Sequence, residues 1–193
     1  MHRDYYKCSH CDLIFVPPSF YLSADKEKKR YDLHNNNPDD LGYVNFLGKL
    51  LDPMVSRLNP GALGLDFGSG PAPTLSLLFK KAGYPMDVYD IFFNKDETVF
   101  TKTYDFITST EVFEHLHHPL RELTRLWDMI KFGGYFAVMT RLVTDEVDFP
   151  SWRYKDDLTH VCFFSPLTMR WLAEQIGAEM EIIGKDVVIF RKP

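Results

Sequence analysis

The stretch that decides the fold runs from Leu63 to Gly70 and reads LGLDFGSG. Its first half is a short apolar run, and its second half is a glycine-rich turn followed by a helical pattern from Thr74 to Ala82. A buried strand, a glycine turn and a helix form the first unit of a doubly wound α/β sheet. Glycines at this turn let the backbone bend tightly and let a ligand approach the main chain. The stretch therefore predicts a ligand-binding turn at one edge of a sheet.

The residues around this turn indicate which ligand it suits. The dinucleotide fingerprint G-x-G-x-x-G requires a third glycine, and Pro73 stands at that position. Pro73 therefore argues against a pyrophosphate site and against a nicotinamide oxidoreductase. Asp66 lies two residues before the first glycine of the turn, and Asp90 lies twenty residues after Gly70. A carboxylate at the end of the second strand can accept the hydroxyls of a ribose, so the pattern predicts a nucleoside site.

The rest of the chain alternates strand and helix patterns, which predicts a mostly parallel sheet with helices on both faces. Two helices, from about Ser23 to Tyr31 and from about Asp39 to Leu51, precede this alternation. A final hairpin turns at residues 184–186 and adds an antiparallel strand. The predicted strands are Ala62–Phe67, Pro85–Tyr89, Asp105–Thr108, Tyr135–Thr140, Glu179–Ile183 and Val187–Phe190, and the later helices are Thr74–Ala82, Pro119–Lys131 and Pro166–Ile176.

The first 22 residues have a different character and are predicted to form an appendage, leaving residues 23–193 as the ligand-binding domain. Cys8 and Cys11 have the spacing of half a zinc ribbon, whereas a structural zinc site needs four ligands. Three interpretations follow: a vestigial knuckle, zinc held together with another chain or an unusual ligand, and a redox pair. The vestigial knuckle is the favoured interpretation.

Composition and charge narrow the class of protein. The chain has 193 residues, 45% of them hydrophobic and 25% charged, which is ordinary for a globular protein. No apolar run approaches the roughly 18 residues of a membrane helix, and the first residues lack the apolar core of a signal peptide. Three cysteines suit a reducing compartment, so we expect a cytoplasmic protein. A net charge of −5 makes nucleic acid an unfavoured partner and a small molecule the favoured one. The sequence does not indicate the oligomeric state.

From about Tyr31 to its C-terminus the chain resembles the class I S-adenosylmethionine (SAM) dependent methyltransferases. The run 66–70, DFGSG, matches the first motif of that family, with Ala72 where the last glycine is usual. Asp90 matches the ribose-binding acid, and residues 104–116 match the segment that follows the fourth strand. The resemblance implies a Rossmann-like sheet of seven strands in the order 3-2-1-4-5-7-6, with strand 7 antiparallel. Thr98–Phe100 is the candidate for strand 3.

The resemblance also implies which residues surround the cofactor. The backbone near Ser109 and Thr110 is expected to face the methionine part of SAM, and side chains from Asp90 onward to flank the adenine. Tyr31 and His34, which precede the first motif, could fold over the cofactor or could belong to a surface helix. The cofactor-binding residues so predicted are Asp66, Phe67, Gly68, Ser69, Gly70, Asp90, Ile91, Ser109, Thr110, Tyr31 and His34.

A cluster of acids and a histidine follows the fourth strand. Glu111, Glu114 and His115 occur at i, i+3 and i+4, so an α-helix would project all three from one face. With His160 they could hold a divalent ion, Mg²⁺, Mn²⁺ or Zn²⁺. The pattern E-x-x-E-H resembles that of small-RNA 2′-O-methyltransferases and of ubiquinone-pathway O-methyltransferases. The alternative is that the glutamates favour the helix dipole and His115 merely packs.

The leading functional prediction is transfer of the SAM methyl group to a small acceptor, with His160, Glu114 and His115 as the catalytic candidates. Without a metal, His160 is the best general-base candidate. Residues 152–154, WRY, lie where loops that face substrates occur. The alternatives are an RNA 2′-O-methyltransferase and a non-catalytic SAM-binding module. The acceptor is not readable from the sequence, because it depends on loops that vary freely on this fold.

Overall fold

The structure of the chain is a computed structural model, which describes residues 3–33 and 36–193. Within these ranges the chain forms nine β-strands and five α-helices. The strands are β1 (Tyr6–Lys7), β2 (Ile14–Phe15), β3 (Gly64–Phe67), β4 (Met86–Tyr89), β5 (Tyr104–Thr110), β6 (Ile130–Met139), β7 (Cys162–Phe163), β8 (Glu179–Ile183) and β9 (Val187–Arg191). The helices are α1 (Ala24–Tyr31), α2 (Leu41–Val55), α3 (Thr74–Lys81), α4 (Pro119–Asp128) and α5 (Pro166–Ile176).

The central sheet has six strands in the order β4-β3-β5-β6-β9-β8. The strands from β4 to β6 pair in parallel, and β9 pairs antiparallel with both β6 and β8. This arrangement confirms the predicted α/β class and the antiparallel final strand. Because the carboxyl ends of parallel strands meet at one edge of a sheet, the turns after β3, β4, β5 and β6 lie together, as a ligand site on this kind of sheet requires.

The predicted third strand at Thr98–Phe100 is wrong. These residues lie in a 3₁₀ helix, Glu97–Thr101, whose start is fixed by the Asp96 carboxylate accepting from the Thr98 amide. Residues 90–103 connect β4 to β5. Each parallel crossover needs about a dozen residues, so this connection has room for one crossover and none for an additional strand. The other six strands keep the predicted order.

Two helix boundaries also differ from the prediction. Helix α4 ends at Asp128 rather than Lys131, and β6 begins at Ile130, which pairs with Tyr104 of β5. A Cβ at position 134 would lie 2.6 Å from the Asp105 carbonyl oxygen, so the glycine there permits a close approach of two strands and is not a helix stop. Helix α2 extends to Val55, and its start is capped by Asp40, which accepts from two backbone amides.

The hydrophobic core lies on both faces of the sheet. One cluster joins α2 and α3 to the sheet through residues such as Leu50 and Phe79, and the other joins α4 and α5 through residues such as Leu126 and Met169. All four of these side chains are fully buried. Burial of a large aliphatic or aromatic side chain contributes about 1.5–3 kcal/mol. The two clusters therefore hold the sheet rigid beneath the turns that follow its strands.

A second, three-stranded sheet joins the N-terminal hairpin to the rest of the chain. Strand β2 lies between β1 and β7, with Phe15 opposite Cys162. At the hairpin turn the Cys8 amide donates to the Leu13 carbonyl at 2.8 Å, and both hairpin cysteines are free thiols. The division of the chain at residue 22 stays a prediction. Within the described ranges, no helix is long and apolar enough to cross a membrane.

Candidate functional site

A cavity of about 840 Å³ opens at the carboxyl edge of the parallel strands. Its wall combines α1, the start of α2, the glycine turn, the residues after β4 and β5, and one face of α4. The predicted site residues that line it are Tyr31, Phe67, Gly68, Gly70, Asp90, Ile91, Thr110, Glu111, His115 and His160. The predicted residues Asp66, Ser69, Ser109 and Glu114 are buried and do not line it. His34 lies outside the described residues.

The glycine turn has the backbone conformation that the sequence predicts. Gly68 has a φ of +79° and Gly70 a φ of +67°, both in the left-handed region. The Gly68 amide donates to the Tyr89 carbonyl at 2.8 Å, which ties the turn to the end of β4. A Cβ at position 68 would lie 2.3 Å from a methyl group of Val112. The turn is therefore held against the segment that follows β5, and a side chain at this position has no room.

Asp90 organises the loop after β4 as well as lining the cavity. One carboxylate oxygen accepts from the Gly70 amide at 2.9 Å, and the other accepts from the amides of Phe92 and Phe93 at 2.8 and 3.1 Å. A carboxylate has about four lone-pair sites, and these three amides use three of them. Asp90 therefore links the two turns on which a nucleoside would rest and keeps an acceptor site for a hydroxyl.

Asp66 lies inside the sheet and accepts from the Thr108 hydroxyl at 3.0 Å on the neighbouring strand. Burial raises the pKa of this carboxyl to about 7, although the hydrogen bond from Thr108 acts in the opposite direction. The structure therefore places Asp66 beneath the turn, and its side chain does not form part of the cavity surface.

The segment from Glu111 to His115 is not an α-helix, so the predicted helical face is wrong. Glu111 has a φ of +52°, which is incompatible with a right-handed helix at that residue. Phe113–His115 form a single 3₁₀ turn. The Tyr154 hydroxyl lies 3.3 Å from the Glu111 carboxylate and 2.5 Å from that of Glu114. Burial, followed by the charge of Glu114, raises the pKa of Glu111 to about 9. Tyr154 thus bridges two carboxyl groups that the sequence had placed side by side on a helix.

Three of the four predicted metal ligands come together. Glu114, His115 and His160 each offer a ligand atom within 4.8 Å of the other two, and Glu111 lies outside this group. Glu114 is completely buried, and its Oε2 atom has no hydrogen-bond partner within the described part of the chain. A buried carboxylate oxygen without a partner is costly, so this atom points to a group that the side chains do not supply.

The two histidines are oriented by backbone carbonyls. His160 Nδ1 lies 2.7 Å from the Tyr154 carbonyl oxygen, and His115 Nδ1 lies 3.1 Å from that of Thr159. A carbonyl oxygen only accepts, so each Nδ1 carries the proton and each neutral ring keeps its lone pair on Nε2. Burial, and then the charge of His115, lowers the pKa of His160 against the opposing effect of Glu114. Metal-binding histidines commonly have this outer contact, so the donor set fits a divalent cation.

The sequence analysis missed several residues of the site. Tyr43 and Phe46 of α2 line the cavity, as does Asp157 of the loop before β7. The aromatic side chains of α2 carried no signal beyond their helical spacing. Asp157 stands three residues before His160, and that proximity was the one available signal. Tyr31 was predicted, and its ring lies 5.3 Å from the His115 ring, so α1 covers the histidine end of the cavity.

Most of the chain, including the residues of the site, matches a known protein family. Residues 41–181 match the model of a family described as a methyltransferase domain. The chain belongs to this methyltransferase family. The match includes the glycine turn, Asp90, Glu114 and His160, and it begins at the first residue of α2.

Curated relatives include two ubiquinone biosynthesis O-methyltransferases. The protein from Shewanella pealeana is 26% identical over 123 residues, which cover 56% of this chain and 52% of the relative. The protein from Nitrosococcus oceani is 25% identical over 133 residues, which cover 61% of this chain and 56% of the relative. The aligned part of this chain thus spans about half the length of each relative.

Solved structures with a similar fold include a magnesium protoporphyrin IX methyltransferase from Synechocystis with bound S-adenosylhomocysteine (SAH). Its TM-score is 0.63 at 14% identity, with 88% of this chain and 94% of that chain covered. Human N-acetylserotonin methyltransferase in complex with SAM has a TM-score of 0.58 at 16% identity, with 86% and 56% covered. At these identities the likeness establishes the Rossmann-like methyltransferase fold.

Proposed function

We propose that the chain binds SAM in this cavity and transfers its methyl group to a small-molecule acceptor. The observation that carries the proposal is the cavity of about 840 Å³ between the glycine turn and Asp90 in a chain of the methyltransferase family. Its volume lies within the usual range of small-molecule pockets, roughly 300–1,000 Å³. Solved structures with this fold contain SAM or SAH, which supports the choice of ligand.

The cofactor would lie with its ribose on Asp90 and its methionine part against the glycine turn. In this arrangement Gly68, Ser69 and Gly70 offer backbone rather than side chains, and Ile91 flanks the adenine. Ser109 and Thr110 would approach the methionine part through their backbone, because the Ser109 side chain is completely buried. Phe67 and Tyr31 would provide apolar contacts on two sides of the ligand. His34 remains a sequence-based candidate for the same region.

The reaction would take place at the histidine end of the cavity. An acceptor oxygen attacks the methyl carbon of SAM in line with the sulfur, the carbon–sulfur bond breaks, and SAH leaves. Without a cation in the site, we assign the hydroxyl proton of the acceptor to His160, whose Nε2 keeps its lone pair because Nδ1 donates to the Tyr154 carbonyl. Positioning supplies much of the rate, since the sulfonium is already a strong methyl donor. The O-methyltransferase relatives support a hydroxyl as the acceptor group.

Glu114, His115 and His160 are the proposed ligands of a divalent cation, Mg²⁺, Mn²⁺ or Zn²⁺. A cation held there would lower the pKa of an acceptor hydroxyl and orient it. His160 Nε2 would then be a ligand, and the cation would replace the general base as the group that activates the hydroxyl. The fit rests on the unpartnered Glu114 oxygen and on the two oriented imidazoles. Glu111 is not proposed as a direct ligand, because it lies outside the group whose ligand atoms are within 4.8 Å of one another.

Calorimetry with SAM and SAH tests the cofactor assignment. Asp90→Ala removes the ribose acceptor and loosens both turns. Hydrogen bonds to a charged group contribute about 1.5–3 kcal/mol, so we expect SAH affinity to fall roughly 10- to 150-fold. Asp128→Asn, an exposed charge change at the end of α4, is the matched control and should bind like the wild type. Absence of SAH binding to the wild-type protein would refute the proposal.

Turnover is tested separately by following SAH release with panels of phenolic and aliphatic alcohols. Methylation of a small alcohol supports the proposed reaction. SAM binding without turnover of any alcohol would instead favour a non-catalytic SAM-binding module, and turnover confined to RNA would favour a 2′-O-methyltransferase. For the cation, electron paramagnetic resonance with Mn²⁺ should detect binding that Glu114→Gln abolishes and the exposed control Glu174→Gln preserves.

A further inference from the structure

The loop before β7 is folded around the side chain of Asp157. One carboxylate oxygen of Asp157 accepts from the Thr159 amide at 2.9 Å and from the Thr159 hydroxyl at 2.7 Å. The other oxygen forms an ion pair with Arg30 of α1 at 3.1 Å. An aspartate that binds the backbone two residues further along makes an Asx turn. The carboxylate therefore fixes the direction of the 158–159 peptide and the position of the Thr159 side chain.

A residue of the N-terminal segment, Arg3, forms hydrogen bonds with the backbone of the same loop. The Arg3 guanidinium donates to the Asp157 carbonyl at 3.0 Å and to the His160 carbonyl at 2.5 Å, and its side chain is buried. The His160 amide donates to the Asp157 carbonyl at 3.2 Å. Two cationic side chains from distant parts of the chain, Arg3 and Arg30, thus hold one short loop in place.

Both histidines of the site depend on carbonyl groups of this loop. His115 faces the carbonyl of Thr159, whose amide and hydroxyl are the groups that Asp157 binds. His160 faces the carbonyl of Tyr154, which lies in the 3₁₀ helix Arg153–Asp156 directly before Asp157. The Thr159 carbonyl belongs to the 159–160 peptide, so a rotation of that peptide would remove the acceptor that keeps the proton of His115 on Nδ1. Asp157 opposes this rotation because it holds Thr159 by both its amide and its hydroxyl.

We propose that Asp157 is a positioning residue, which sets the tautomer and direction of His115 through Thr159. The inference rests on the proposed function, because it concerns a histidine that is a proposed ligand of the cation. Asp157 lines the cavity, but its side chain acts here through Thr159 and not by contact with the reacting atoms. In this respect it resembles the outer-contact carboxylates that orient metal-binding histidines.

The test compares three variants. Asp157→Ala removes the acceptor for both Thr159 donors, and Asp157→Asn keeps an acceptor oxygen while removing the charge that pairs with Arg30. Asp156→Asn is the matched control, because Asp156 is the neighbouring residue, is exposed and forms an ion pair with Lys155 at 3.2 Å. Long-range ¹H–¹⁵N spectra of the imidazoles report the tautomer without cofactor or acceptor, and Mn²⁺ titration reports the ligand geometry.

For Asp157→Ala we expect His115 to lose its single tautomer. Mn²⁺ affinity should fall roughly 10- to 100-fold, as it does when residues that orient metal ligands without binding the metal are replaced. Asp157→Asn should keep the tautomer and lose less affinity, and Asp156→Asn should match the wild type. Unchanged imidazole spectra in Asp157→Ala, or equal effects in Asp156→Asn, would overturn the proposal. If Asp157→Ala does not fold, Thr159→Val removes one of the two donors and should cause a smaller change of the same kind.

The imidazole spectra separate this inference from the proposed function. Should the wild-type protein bind neither SAM nor Mn²⁺, the proposed function fails, and the tautomer of His115 still decides the role of Asp157. Conversely, if the protein binds SAM and the imidazole spectra of Asp157→Ala equal those of the wild type, the proposed function stands and the positioning role of Asp157 is refuted.

Discussion

Replacing Gly68 by alanine tests the packing of the glycine turn most directly. The residue has a φ of +79°, and a Cβ there would lie 2.3 Å from a methyl group of Val112. A left-handed conformation costs a non-glycine residue about 1–2 kcal/mol, and overpacking of a close-fitting site costs about 1–3 kcal/mol. We therefore expect Gly68→Ala to lower the free energy of unfolding by about 2–5 kcal/mol.

Gly83 provides a matched control within the same chain. Its φ is +94°, and a Cβ at that position meets no atom within 4 Å. Gly83→Ala should therefore cost only the conformational part, about 1–2 kcal/mol. Both changes reduce the freedom of the unfolded chain in the same way, so the difference between them isolates the contact with Val112.

Urea unfolding of both variants, and of Gly68→Ala combined with Val112→Ala, measures these quantities. The double variant should recover about 1–3 kcal/mol relative to the sum of the single changes, because the clashing methyl groups are gone. SAH affinity should fall in Gly68→Ala and remain near the wild-type value in Gly83→Ala. Equal stability losses at positions 68 and 83, or additive effects in the double variant, would refute the packing argument.

Three further outcomes follow from individual polar side chains. Tyr154→Phe leaves the buried Glu114 carboxyl without the hydroxyl that lies 2.5 Å from it, so unfolding experiments should show a loss of about 1–3 kcal/mol, against less than about 0.5 kcal/mol for the exposed control Tyr6→Phe. The pKa of Asp66 is about 7 in the fold and about 3.9 when unfolded, so between these values the native state binds more protons and stability falls as pH rises. The stability of Asp66→Asn relative to the wild type should therefore rise from pH 4 to pH 7 and then level off, which denaturation at several pH values measures. A thiol reagent should label Cys8 well before Cys162, and mass spectrometry measures the order of labelling. Backbone amides that donate to the Cys8 sulfur lower the pKa of Cys8, whereas burial raises the pKa of Cys162 to about 12.

The part of the fold that is local in sequence was predictable. Strand β3 and its glycine turn are encoded within a few residues, and Asp90 follows at the distance set by one helix and one strand. Helix α5 begins and ends at the predicted residues because Pro166 can start a helix and Gly177, with a φ of +64°, ends it.

The errors arose where tertiary contacts override a local pattern. Thr98–Phe100 has the composition of a strand, but its connection is too short to reach the sheet edge. Glu111 has helical spacing to Glu114, yet its φ of +52° breaks the helix at the end of β5. The contact between Tyr154 and the two glutamates joins positions 40 and 43 residues apart, and no spacing rule relates them.

The hydrogen bonds from Arg3 to the loop at residues 157–160 have a consequence for the order of folding. The two contacts join residues 154 and 157 positions apart in sequence, and contacts of such separation form late because a long loop must close first. On a ribosome, the residues of the glycine turn are synthesised long before residue 160 exists. The cofactor half of the cavity is therefore expected to form before the histidine half, and a chain that stops short of β7 would have a nucleoside-binding turn without an assembled acceptor end.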